Sequence, residues 1–305
     1  MTTDHPARLL AGALEPIVGS VYFAPECHAA YAELGFAPST RELAGVAMPD
    51  GPAYFTSRGS SLGQVPGEVV AAAFAVFNPQ AVVPAVAHGW SLTDAATISQ
   101  ARTDGAVAQL HRLLGDEPAG LARVDELLAR AVAPLRPEGR VLFAGVLATA
   151  MPDDPIGAMW RKGDLLREFR GDAHTAAWTS AGLDAVEIGL LTELYWGLPL
   201  RSYARTRAWT DEQFGSAEER LVSRGLLADG GFTDTGRAAR DDVEVRTDDQ
   251  MAPALAALGD DVEELVDLLR PWGQAVRGGH GYPAAGPHDL ARAAAPPGRP
   301  IGSPR

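Results

Sequence analysis

Apolar residues recur at spacings of three and four almost throughout this chain of 305 residues, and no segment alternates apolar with polar residues for more than a few positions. A repeat of 3.6 lines one face of a helix, whereas a half-buried strand needs a repeat of two, so the fold is expected to be mainly α. Leu9, Ala13, Pro16 and Ile17 mark one face of an opening helix. Pro25 stops it, because the residue before a proline is pushed away from helical angles. Ser39 with Glu42 three residues later fits a capping box. Longer helical patterns cover 91–114 and 118–135. The periodicity breaks at Met151-Pro152-Asp153-Asp154-Pro155, the expected boundary between an N-terminal helical domain, 1–150, and a second part, 151–278.

In the second part Asp154 is placed to cap a long helix reaching about residue 182, and Asp184 to start another. Further helical patterns over 200–207 and 210–224 precede Leu226-Leu227-Ala228-Asp229-Gly230-Gly231-Phe232-Thr233. Turn residues between two short apolar runs read there as one small β-hairpin. With a helix from 234 to about 258, the order is that of a winged helix-turn-helix. The last helix carries Val262, Leu265, Leu269, Trp272 and Val276 as a stripe that needs a partner, either a second copy in a homodimer or the N-terminal domain of the same chain. From Gly279 onward 11 of 27 residues are Pro or Gly, and this tail, 279–305, is expected to be disordered.

Charge narrows the partners. Asp and Glu number 39 against 26 Lys and Arg, a net charge of −13. A body this acidic repels phosphate backbones unless its positive charge is segregated on one face. The segment 183–258 holds 14 acidic and eight basic residues, and the expected recognition helix, 211–224, holds four acids and two Arg. Nucleic acid is therefore disfavoured as a partner, and the winged helix reads as a structural or dimerising module. The longest apolar run, 69–77, is far short of the roughly 20 residues that cross a bilayer, and residues 1–16 lack signal-peptide features. No membrane association is expected, and the cytoplasm is the expected location. The single cysteine, Cys27, sits among Ala24, Ala29 and Ala30 and reads as a small buried hydrophobe rather than a nucleophile. No histidine pair has metal-ligand spacing and no phosphate-binding glycine motif occurs, so no metal is expected and the sequence names no cofactor.

The run Glu218-Glu219-Arg220-Leu221-Val222-Ser223-Arg224-Gly225-Leu226-Leu227, followed by Phe232-Thr233-Asp234-Thr235-Gly236-Arg237, resembles the recognition helix, wing and following turn of MarR-type regulators. That covers about a quarter of the chain. Over its whole length the sequence is similar to an actinobacterial family of largely uncharacterised proteins with a helix-turn-helix-like domain. Tyr22-Phe23-Ala24-Pro25-Glu26, Phe77-Asn78-Pro79, Trp90-Ser91 and Arg167-Glu168-Phe169-Arg170-Gly171-Asp172-Ala173-His174 carry that resemblance. It implies fold and domain order and supplies no reaction.

The strongest candidate site is on the long helix. Arg167, Arg170, Gly171, His174 and Trp178 share one face, beside an apolar stripe of Leu166, Phe169, Ala173 and Ala177. Two guanidinium forks and an imidazole suit a carboxylate or phosphate, and Gly171 leaves room for a ligand to approach the backbone. The plainer alternative pairs both arginines with Glu168, Asp172 or carboxylates of a neighbouring helix and makes His174 a hydrogen-bonded core residue. Glu26 is expected to oppose the arginines and, with His174, to be the acid–base pair of any reaction. Asp172, Tyr22, Arg58 and Asn78 complete the expected ligand-binding set, although Asn78 also fits a helix cap.

These features point to a protein that encloses an anionic or aromatic small molecule between its N-terminal helices and the 167–178 face, acting on it in secondary metabolism or sensing it. A MarR-like ligand-responsive regulator and a dimeric scaffold are the alternatives. An enzyme needs His174 or Glu26 in a pocket with a shifted pKa, a regulator needs a basic face, and a scaffold needs neither.

Overall fold

The computed structural model describes residues 5–286, and these are mostly helical, as the periodicity predicts. Helix α1 (Pro6–Val18) leads through a 3-10 turn, Gly19–Phe23, into α2 (Pro25–Glu33). Then come the hairpin strands β1 (Arg41–Leu43) and β2 (Val46–Met48), followed by α3 (Gly51–Gly59), α4 (Gly67–Phe74) and α5 (Pro79–Leu92). Helices α6 (Ala95–Leu114), α7 (Leu121–Val132) and α8 (Val141–Leu147) precede the 26-residue α9 (Pro155–Ser180). Many starts are written in the sequence. Asp50, Asn78, Asp94 and Asp154 each accept a backbone N–H of the first turn they open, and Pro25, Pro79 and Pro155 occupy first positions that need no donor.

After α9 come α10 (Ala185–Tyr195), a 3-10 turn Ala204–Arg207, α11 (Asp211–Ser223), strands β3 (Leu227–Ala228) and β4 (Gly231–Phe232), and α12 (Asp234–Asp249). This is the expected winged-helix order. Leu227 pairs with Phe232 and Ala228 with Gly231, and the two turn residues Asp229 and Gly230 have φ of 51° and 74°. Positive φ at both positions matches the right-handed twist of the strands. Gly236 allows the first turn of α12 to lie against the hairpin, since a Cβ there would meet the Leu226 carbonyl oxygen at 1.9 Å.

The chain closes with α13 (Ala252–Leu258) and α14 (Asp261–Gly278). Val262, Leu265, Leu269, Trp272 and Val276 are all buried, in one core with Leu10, Leu14 and Ile17 of α1. The stripe thus finds its partner within the chain, and it gives no reason to invoke a second copy. The same core takes in α2, α6, α7 and the first half of α9, with Leu110, Leu127 and Trp160 fully enclosed. The division expected at residue 150 therefore cuts through a shared core. Proline and aspartate at 151–155 mark a turn between helices, and a turn says nothing about which core its helices join. A second core gathers Trp178, Leu190, Leu191, Phe214, Leu221 and Val243, and a third gathers Phe55, Phe74, Phe77, Val82 and Val86 from α3 to α5.

Three further expectations change. Ser39 and Glu42 do not form a capping box: Glu42 lies in β1 and the Ser39 hydroxyl donates to the Met48 carbonyl across the unforeseen hairpin. The start of the expected tail is ordered: Tyr282 is buried, meets Phe23 edge-on and donates to Glu15, while 287–305 lie outside the described residues. The segment Pro6–Glu33 is also long and apolar enough to cross a membrane, more so than 69–77, but most of it is buried inside this fold.

Candidate ligand-binding site

Helix α9 is the spine of the site. Its Arg167, Arg170, Gly171 and His174 open onto a cleft of about 800 Å³, walled by α1, α10, α12 and the segment 203–209. Small residues make the room. A Cβ on Gly12 of α1 would meet nothing within 4 Å, and one on Gly171 only Glu168 Oε2 at 3.7 Å. Gly171 does leave its backbone approachable, as its place on the arginine face predicts. Apolar walls come from Leu10 and Leu14 of α1 and Ile188 of α10, and aromatic ones from Tyr195, Trp196, Tyr203 and Trp209.

The charge of the walls is opposite to that of the chain. Seven arginines and three glutamates line the cleft of a protein whose net charge is −13. Arg167 donates from Nε to Glu15 Oε2 at 2.9 Å, and from Nη1 to Glu168 Oε1 at 2.9 Å and the Tyr22 hydroxyl at 3.2 Å. Arg58 reaches Glu168 at 3.0 Å, and Arg170 reaches Glu244 and Asp248 at 3.4 Å each. Burial alone would weaken the hold of Arg58 and Arg167 on their protons, but Glu168 and Glu15 reverse this and raise both pKa values. Glu168 is held below the usual carboxylate range although its burial works the other way, because Arg58 and Arg167 flank it. The arginines are therefore paired, as the plainer alternative expects, and they also line the cleft.

His174 sits on the wall with Nδ1 3.2 Å from Thr247 Oγ1. That hydroxyl already donates its one proton to the Val243 carbonyl, so Nδ1 must donate and Nε2 keeps a lone pair. Burial, with Arg240 and Arg170 adding to it, pushes the imidazole pKa down to about 4. His174 is a neutral acceptor at pH 7.

The other expected residues scatter. Glu26 lies on α2 and pairs with Arg112 of α6, so it neither opposes Arg167 nor joins His174. Its spacing from Tyr22 and Pro25 gave no means of telling which helix α2 would face. Glu15 takes the opposing role instead. Tyr22 underlies the site, its ring 5.2 Å from the Arg167 guanidinium and edge-on to Tyr54. Trp178 is turned into the second core. Asp172 accepts the Phe143 N–H at 2.9 Å away from the cleft, and burial pushes it up to about 6. Arg58 is on the wall. Cys27 is fully buried, and burial pushes its thiol up to about 12, as suits a packing residue.

Asn78 does more than cap α5. Its N–H donates to the Arg207 carbonyl at 3.0 Å, and Nδ2 donates to the Ala208 carbonyl at 2.9 Å and Gln213 Oε1 at 3.1 Å. Gln213 belongs to the capping box of α11. One side chain thus joins the cleft wall to the first turn of α11. Tyr203 and Arg207 fall in 200–207, expected as a short helix, where only a 3-10 turn, Ala204–Arg207, forms, and Trp209 lies just beyond it; an arginine among aromatic residues was the signal for this wall.

Helix α11 occupies the recognition position of the winged helix, and its arginines, although exposed, are paired with carboxylates. Arg220 pairs with Asp184 and Glu187, and Arg224 reaches Glu187 at 3.3 Å. Arg201 and Arg205, just before it, pair with its Glu218 and Asp211.

A protein-family model described as a helix-turn-helix family matches residues 7–283. No curated protein and no solved structure matches the chain.

Proposed function

The chain belongs to this helix-turn-helix family, and we propose that the protein binds an anionic, aromatic small molecule in the cleft between α1, α9, α10 and α12. The supporting observation is the reversal of charge: an excess of arginine, with four aromatic side chains, gathered on one concave wall of an acidic protein. A volume of about 800 Å³ lies within the roughly 300–1,000 Å³ typical of small-molecule sites. The reading is of a binder. Glu26 is held by Arg112, so it does not form the expected acid–base pair with His174.

A sensor of MarR-like ancestry is the second reading, favoured by one contact: Asn78 ties the cleft wall to α11, so a ligand that shifts the wall has a path to the helix in the recognition position. Against direct DNA contact stand the four paired arginines on and before α11. Native mass spectrometry of the full chain, purified without denaturation, tests the binding reading. A retained small anion that is lost in Gly12→Trp, which fills the cleft from α1, supports it. An adduct retained equally by Gly12→Trp places the ligand elsewhere.

A further inference from the structure

Seven arginines line the cleft, and their partners separate them into two kinds. Arg8, Arg58, Arg167, Arg170, Arg240 and Arg270 each have a carboxylate within salt-bridge distance. An incoming anion meets that carboxylate's repulsion together with the arginine's attraction, so a paired guanidinium offers it little net field. Among the described residues, Arg207 has no carboxylate at that distance. Its guanidinium lies 4.5 Å from the Phe77 ring centre and 4.8 Å from that of Tyr203, and Nη2 donates to the Tyr203 hydroxyl. Rings hold its position and leave most of its N–H donors without a protein acceptor among the described residues.

Resting on the reading of the cleft as an anion site, we infer that Arg207 receives the ligand's anionic group and that the ligand is a flat aryl carboxylate. A guanidinium fork matches a carboxylate at two points. The Tyr203 hydroxyl, which accepts from Arg207, keeps its own proton to donate to the same group. Trp209 is fixed beside them by its Nε1 donating to the Val76 carbonyl at 2.9 Å, and it supplies an aromatic wall for the ring. Arg167 and Arg170, the residues that helical spacing singles out, become supporting charges whose own carboxylates stay in place.

The test is calorimetric titration of the full-length protein with 2-naphthoate and with its neutral analogue 2-naphthamide, in the wild type and in Arg207→Met, Arg207→Lys and Arg170→Met. Thermal unfolding checks that each variant is folded. Wild type is expected to bind naphthoate at least tenfold more tightly than naphthamide. Arg207→Met should erase that difference, Arg207→Lys should recover part of it, and Arg170→Met, which removes only a supporting charge, should weaken naphthoate binding less than Arg207→Met does. Naphthoate binding that survives Arg207→Met but fails in Arg170→Met overturns the anchor and leaves the cleft reading standing. Equal affinity of wild type for the two probes also overturns the anchor. Should wild type bind neither probe, the cleft reading falls and the anchor with it.

Discussion

Arg167 of α9 meets Glu15 of α1 at two points, Nε to Oε2 at 2.9 Å and Nη2 to Oε1 at 3.2 Å. The pair closes the floor of the cleft, and the Tyr282 hydroxyl donates to the same carboxylate at 3.2 Å. Glu15→Ala should cost about 1–3 kcal/mol in denaturant unfolding, because partly buried donors on Arg167 and Tyr282 lose their acceptor. Glu15→Gln should bind 2-naphthoate more tightly than wild type, since one negative charge leaves the wall. Unchanged stability in the first variant and weaker binding in the second would contradict this account of the floor.

His174 gives the cleft an acid limit. Its imidazole is pushed by burial to about 4, below the ordinary value near 6.5, so the unfolded chain takes up the proton more readily. Its contribution to stability is complete above pH 6.5 and is lost as the pH falls toward 4. His174→Gln should therefore unfold at lower pH than wild type. A His174 titration by NMR with a midpoint above 6 would show that the ring is not desolvated as described.

Asp172 and Glu193 act in the opposite sense. Burial pushes Asp172 up to about 6 and Glu193 up to about 7, although backbone N–H groups donate to both. The folded state then holds these protons more tightly, and stability is lost as pH rises through 4 to 6 for Asp172 and 4.5 to 7 for Glu193. Asp172→Asn keeps an acceptor for Phe143 and should gain about 1–3 kcal/mol at pH 8 with little change at pH 4. A loss of stability at pH 8 would indicate that the ionised form is the one the fold requires.

With the arginines of α11 paired to carboxylates, the protein is expected to bind DNA in general poorly. Fluorescence anisotropy with a random duplex at physiological salt should give a dissociation constant weaker than the roughly 10⁻⁴ to 10⁻⁶ M of non-specific binders, with a shallow dependence on salt. Tight, steeply salt-dependent binding would mean that Arg220 and Arg224 leave Asp184 and Glu187 for phosphate.

The α9 face was legible because helical geometry alone puts residues three, four and seven apart on one side, and the β3–β4 hairpin because Asp229-Gly230 suits positive φ. Which carboxylate faces which arginine was not legible. Glu15 and Glu26 both lie on N-terminal helices, and only the packing of α1 against α9 and of α2 against α6 decides between them. The β1–β2 hairpin escaped notice because Ala44 takes a φ of 54° that its side chain disfavours, leaving Gly45 as the lone signal. Arg207 falls in a segment that reads as an ordinary short helix, and helical spacing does not show which arginine lacks a carboxylate neighbour among the described residues.

The most direct measurement is the anomalous bromine signal from crystals grown with 6-bromo-2-naphthoate. A single bromine in the cleft between α1 and α10, with the carboxylate on Arg207 and the ring beside Trp209, is the predicted result. An empty cleft at saturating probe, or bromine only outside it, would contradict the central claim.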